Sequence, residues 1–433
     1  MKRVAVVGSG IAGLAAAHGL ARHGEVTLFE AGDWFGGHSH TVDVEFEGRR
    51  HGVDTGFLVY NERTYPTLIA LFAELDVATA PSDMSFSVRV PDADLEWSGS
   101  SLDTVFAQRR NLLRPAFWGM LGEVVRFNRI ATALAQGQGP GGAAALDESI
   151  ADFLAEHRFG AAFRDWYFLP MIGCIWSCPT DQMLRFPIST MIRFCHNHGL
   201  LQITDRPQWH TVRGGARTYV AKMLESIADA RLRTPVRRVS RRRQGGVEVA
   251  TDAGSERYDA VVLACHSNQA LALLEGAGDE EKRVLGAIRY QPNRAVLHTD
   301  HSILPKRQRA WAAWNYERSA GAGDEAAVCL HYLLNRLQPL PFQAPVIVSL
   351  NPATEPAAAT VQGEFSYAHP VFDAAAVAAQ ARLPALQGKG GVWFCGAWTR
   401  YGFHEDGLLS GRAACSGVIA AWQATALDPA LPS

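Results

Sequence analysis

Charge is scarce in this chain. Asp, Glu, Lys and Arg make up 19% of 433 residues, and their signs nearly cancel to a formal net charge of −2. A nucleic-acid partner calls for a basic face and is not expected. Long hydrophobic runs are missing as well: no stretch reaches the ~18 uninterrupted apolar residues of a spanning helix. The N-terminus opens on the strand-like Val4-Ala5-Val6-Val7, without the charged-then-apolar profile and cleavage site of a signal peptide. The expectation is a cytoplasmic protein, or one held peripherally on the inner face of a membrane. The cysteines are odd in number, and Cys174 and Cys178 have no second close pair to complete a four-thiolate zinc site. They read as reduced, mostly buried thiols, and no metal is expected. Repeats, coiled-coil heptads and low-complexity tracts are absent too. What is abundant is core material: 48% of the residues are hydrophobic. With this length, that points to two packed domains rather than one.

Residues 1–31 read as strand, tight turn, helix and strand, one βαβ unit. The turn is Gly8-Ser9-Gly10-Ile11-Ala12-Gly13, and Glu30 ends the second strand. Gly8 permits the turn, Gly10 lets the backbone approach a pyrophosphate, and Gly13 lets helix and strand pack closely. The helix N-terminus offers free N–H groups to phosphates, and Glu30 is placed to accept hydrogen bonds from ribose hydroxyls. The alternative is a plain tight turn. An acid at position 30 disfavours a 2′-phosphate.

Further strands are expected over Arg231–Val239 and Val247–Thr251, flanking a basic turn at Arg241–Gly246, and over Tyr258–Ala264 and Gly391–Cys395. A helix is expected from about Leu408 to Trp422, and a surface loop over 137–145. Nucleotide-type strands thus occur at the start, middle and end of the chain. That interleaving suggests a discontinuous nucleotide domain (1–85, 206–270, 388–433) and an inserted substrate domain (86–205, 271–387).

Beyond the glycine turn, Glu30-Ala31 is followed by Gly36-Gly37-His38 and by Asp54-Thr55-Gly56-Phe57. This order resembles the N-terminal fingerprint of the FAD-dependent amine oxidase, phytoene desaturase and protoporphyrinogen oxidase superfamily. The likeness continues through Thr211–Gly215, through Val236 on the strand that meets adenine, and through Phe394–Trp398 with Gly396 and Ala397. It ends with Gly402–Gly411. The resemblance implies an α/β fold: a Rossmann-like FAD-binding domain of amine-oxidase type with an interleaved α+β substrate domain. It implies non-covalent FAD, with the N–H groups of Gly407, Leu408 and Leu409 facing the flavin. Two departures stand out. His38 occupies the usual Arg position, and a neutral imidazole supplies no fixed charge. Ala397 stands where an acid commonly binds the flavin side chain, with Glu405 and Asp406 as the nearest replacements. A metal site of His38 and His40 is the other reading of that pair.

The catalytic candidates are His298, aligned with the lysine that holds a water beside the flavin in amine oxidases, and His404. Each also reads as a structural hydrogen-bonder. Trp398 and Tyr401 are a candidate amine cage. The apolar segment 163–203 is either domain core or a tunnel to the flavin. Arg109–Trp118 sets three Arg beside aromatics, which reads as a solvated helix end or as a membrane dock.

The chain also resembles a bacterial group of NAD/FAD-binding proteins encoded beside cyclopropane-fatty-acid-synthase-like methyltransferases, through Tyr401–Leu408, Leu297–Asp300 and Trp311–Asn315. That resemblance implies a hydrophobic or lipid substrate, an unsaturated acyl chain dehydrogenated in making modified fatty acids, with oxygen or a quinone as acceptor. The rivals are a polyamine-type oxidase and a non-catalytic flavoprotein partner of a lipid methyltransferase.

Overall fold

A computed structural model describes residues 1–137, 148–202, 206–318 and 328–427. The loop expected over 137–145 lies, apart from Gly137, outside the described residues.

Strand β1 (Arg3–Val7) has four of its five residues buried. It runs parallel between β2 (Glu25–Phe29) and Ala260–Leu263. Asp229–Arg231 and Val392–Phe394 complete a five-stranded parallel sheet. The runs Val4–Val7 and Ala260–Leu263 are continuously apolar because both faces are covered, as parallel sheets require. Val4, Val6 and Val262 face one cluster, with α1 (Ile11–Leu20) and the C-terminal helix His404–Leu427. Ala5, Val7, Val261 and Leu263 face another, with an antiparallel meander of Val236–Arg241, Val247–Thr251 and Gly254–Tyr258. The single strand expected over Arg231–Val239 is two. Arg231 ends a strand of the parallel sheet and Val236 starts the meander. Between them Arg233 takes φ +51° and Pro235 offers no N–H to a ladder.

A seven-stranded sheet forms the second layer. Its order is Val361–Val371, Arg289–His298, Ile347–Leu350, Cys329–Leu333, Trp314–Glu317, Phe86–Val90 and Leu95–Ser98. Alternation sorts its side chains. Phe86, Trp314 and Tyr332 lie on the face toward the parallel sheet's cavity. The next residues along, Ser87, Asn315 and His331, point the other way into a buried polar layer. Helices Pro115–Ala135, Leu169–Trp176 and Ile188–Asn197 add the apolar cover. No described helix is long and apolar enough to cross a membrane.

Candidate active site

Between the two sheets lies one elongated cavity of about 760 Å³. Its first part is built by the β1–α1 turn. Gly8 sits at φ +101°, a conformation open to glycine. A Cβ at Gly13 would stand 1.9 Å from the Gly8 carbonyl oxygen, whereas one at Gly10 would meet nothing within 4 Å. The turn therefore packs tightly on its inner side and leaves an open cradle at Gly10. Gly37 closes the cradle's far wall, with its Cβ position 3.2 Å from the Gly10 Cα. Gly8, Ser9, Gly10, Ile11 and Ala12 line the cavity, as do Glu30, Ala31, Gly36, Gly37, His38, Gly56, Phe57, Val236, Gly396, Ala397 and His404. Glu30 is held facing the turn. One carboxylate oxygen accepts from the Ser9 N–H (2.9 Å) and hydroxyl (2.5 Å), and the other accepts from the Gly32 N–H.

Seven expected residues do not line it. Gly13 works through packing alone. Asp54 is a bracket: its carboxylate accepts from the Thr41 hydroxyl, the Ala216 N–H and the Gln338 amide, and burial lifts it to about 6. Thr55 shares a 2.6 Å hydrogen bond with the Tyr367 hydroxyl. Gly407, Leu408 and Leu409 are displaced from the role given them because the helix begins at His404. The Gly407 N–H already donates to the Phe403 carbonyl, so the amides left free in the first turn belong to His404, Glu405 and Asp406. Leu408 is core, and Gly407 packs on Ile11.

His298 is the larger correction. It pairs in register with Ile347, while its neighbour Leu297 pairs with Val348 on the cavity side. One residue out of phase, His298 is buried on the opposite face. There its Nε2 shares a 2.7 Å hydrogen bond with Ser349 and its Nδ1 accepts from the Asp300 N–H. Ser349 also bonds His331, which lies near Glu317 and Cys329.

Neither acid proposed to replace the one missing at Ala397 faces the cavity. Glu405 accepts from the N–H groups of Thr67 and Leu68 and so caps the helix Pro66–Glu74. Asp406 accepts from the Phe403 N–H at the start of its own helix, and burial lifts it to about 6. Trp398 is tied down by donating to the Cys265 carbonyl. His40 stacks on Trp34 and bonds Thr55 and Tyr367.

The cavity's electrostatics are simple. Glu30 is the only Asp, Glu, Lys or Arg among the described lining residues. The five histidines of the lining are all driven toward neutrality by burial. His38 lies well below the ordinary value, with further repulsion from His369, His266 and His404; His198, His266 and His369 fall to about 4, and His404 to about 3. The His38 Nε2 is buried without a partner. An orphaned imidazole nitrogen lining the same cavity as the open glycine cradle fits a polar cofactor group there. His404 stacks on Phe57 at 3.8 Å, and its Nε2 bonds the Tyr219 hydroxyl, which donates to Ser39.

The far half of the cavity comes from the described part of the apolar segment, 163–202. Met171, Ile175, Trp176 and Phe194 meet Phe86, Trp314, Tyr332 and Phe403. His198 lies here too and escaped sequence reading. Its Nδ1 is 3.0 Å from the Phe194 carbonyl, which can only accept, so the proton sits on Nδ1 and Nε2 keeps its lone pair. The signal was a histidine four residues after an aromatic on one helix face, hidden in a segment read only for its apolar residues.

Comparison with known proteins bears on this architecture. The sequence pattern of the family described as flavin containing amine oxidoreductase matches residues 11–329. A carotenoid phi-ring synthase of Streptomyces griseus is 32% identical over 328 residues, which cover 70% of this chain and 59% of that protein. Two solved structures share the fold. The cyclohexylamine oxidase from Brevibacterium oxydans has TM-score 0.70 at 18% identity, covering 98% of this chain and 99% of its own. The CLA-producing fatty acid isomerase from P. acnes has TM-score 0.66 at 15% identity, covering 97% and 98%. The pattern match spans most of the chain and contains the glycine turn's helix, the Glu30 strand and the His38 loop, so the protein belongs to the flavin-containing amine oxidoreductase family.

Proposed function

We propose that the protein dehydrogenates an unsaturated fatty acyl chain. The observation that carries this reading is the uncharged, aromatic far half of the cavity. A cationic polyamine would lose its hydration there and meet no carboxylate, a cost of several kcal/mol, whereas an acyl chain is stabilised by about 0.8 kcal/mol per buried CH₂. The names of two similar proteins, a carotenoid ring synthase and a fatty acid isomerase, support an apolar substrate class.

The chain's own groups suit loss of two hydrogens from carbons next to a double bond. Bound flavin supplies a two-electron acceptor for a hydride, later reoxidised by dioxygen or a quinone. Hydride loss leaves positive charge on the allylic carbon, and the faces of Trp176, Phe194, Trp314 and Tyr332 stabilise such charge. The adjacent C–H of that cation is strongly acidic, so a weak base suffices to take its proton and form the second double bond. His198, with a free Nε2 and a value near 4, is such a base. His404 serves to hold position: neutral, stacked on Phe57 and fixed by Tyr219.

The test is anaerobic absorbance of the FAD-loaded protein with an unsaturated phospholipid or with spermidine. Bleaching by the lipid, with a conjugated diene appearing in the product, is expected. Bleaching by spermidine alone would replace the substrate assignment with an amine.

A further inference from the structure

Among the described residues, large apolar side chains that face solvent are concentrated in one place. Apart from Met1, those most exposed are Leu102 (79%), Leu112 (47%), Leu113 (88%), Trp118 (50%) and Val125 (57%). They share a surface. Trp118 donates its indole N–H to the Leu112 carbonyl and packs 5.2 Å from Phe106, whose N–H bonds Leu102 one turn earlier. Trp118 and Val125 lie seven apart on the helix Pro115–Ala135, on one stripe. Monomeric proteins rarely leave so contiguous a patch without a use.

The rim is basic. Lys306, Arg307 and Arg309 join Arg109, Arg110 and Arg114 there, because the backbone N–H groups of Lys306 and Arg307 are anchored on Glu96, and the turn Gln308–Ala310 packs on the helix Leu102–Val105. These six cations meet four carboxylates. Asp103 and Asp94 pair with Arg109 and Arg110 and feel Arg309, Arg307 and Lys306, Glu96 is buried, and Asp92 lies in the adjoining turn. An apolar centre with a tryptophan whose N–H is already satisfied, inside a rim of net positive charge, matches the interface of an anionic bilayer.

We propose that this face docks on anionic lipid membranes and presents the cavity to acyl chains drawn from them. The patch and the cavity share one aromatic wall. Phe106 meets Phe117, Phe117 meets Trp97, and Trp97 meets Phe86 of the cavity lining. Arg114 lies over Trp166 in the turn that runs on into the helix Leu169–Trp176, another cavity wall. Only the cargo in this proposal rests on the acyl-chain reading.

The experiment is flotation of the FAD-loaded full chain with vesicles of equal parts phosphatidylglycerol and phosphatidylcholine, and with phosphatidylcholine alone. Binding is expected to the mixed vesicles, weakened by added salt. Leu113→Glu is expected to lower partitioning at least about tenfold while keeping the flavin spectrum and melting temperature, since the side chain touches solvent. Failure of the parent protein to float with the mixed vesicles would overturn the proposal, as would undiminished binding by the variant. A solution dimer that Leu113→Glu turns into a monomer would assign the patch to a second copy instead. The two readings fail separately: flotation without lipid bleaching sinks the substrate, and bleaching by detergent-dispersed lipid without flotation sinks the dock.

Discussion

At the scale of single residues, the glycine turn separates folding from binding. Gly13→Ala drives a Cβ to 1.9 Å from backbone oxygen, a contact that no side-chain motion relieves. Gly10→Ala meets no protein atom and instead fills the cradle. The expected outcome is a Gly10→Ala chain with an unchanged melting temperature as apoprotein and FAD affinity lowered at least about tenfold, read by titration of flavin fluorescence. Gly13→Ala is expected to lose the fold itself, read by circular dichroism. His198 gives the complementary test at the reaction end. His198→Phe keeps the stack on Phe194 and removes the Nε2 lone pair. Flavin content should hold, while anaerobic bleaching by acyl substrate slows by about 10²-fold or more; an unchanged rate would place the proton acceptor elsewhere.

At the scale of elements, what was legible in the sequence is what depends on local conformation. Gly8, Gly10, Gly13 and Glu30 declare their turn and strand because the geometry they need is contained within thirty residues. The split between Arg231 and Val236 was not legible, since it depends on which sheet each half joins. His298 was misread for the same kind of reason. Its residue type was right for the chemistry, but the face it occupies is set by pairing with Ile347, 49 residues away. The Gly407–Leu409 amides were misplaced by three residues because the helix start, at His404, is fixed by Asp406 capping Phe403. Close packing of α1 on the C-terminal helix puts that start at the cavity. A Cβ at Gly411 would stand 2.1 Å from the Ala12 carbonyl oxygen. Gly411→Val should therefore push the helices apart, cost about 1–3 kcal/mol, and loosen the flavin together with the fold. A parallel drop in melting temperature and in retained FAD is the expected result. Loss of one without the other would uncouple the helix contact from the site.

The whole molecule carries its histidines as a stability device with a definite sign. Burial depresses His38, holds His40, His198, His266, His298 and His369 near 4, and holds His404 near 3. In the unfolded chain each binds a proton below about 6.5, so between there and about 4 the unfolded state holds more protons and the fold weakens as pH falls. Asp54 and Asp406 oppose this. Burial raises both to about 6, so they lend stability below the unfolded carboxylate value and withdraw it as pH rises toward 6. Glu148 is raised by burial as well, and seven groups against three leave the acid side dominant. His331 closes the other side. Burial opposes its charge, but Cys329 and Glu317 raise it to about 9, so its contribution is present below the unfolded value and is lost as pH climbs toward 9. Stability should peak near neutrality, and the melting temperature should fall by about 5 °C or more per pH unit from 6.5 to 4.5. His38, His198, His266, His369 and His404 line the cavity, so bound FAD should leave over the same interval, as appearance of free-flavin fluorescence. A melting temperature that is flat across that range would mean that these imidazoles reach water or a proton-holding partner in the folded state, and the uncharged cavity on which the acyl-chain reading stands would go with it.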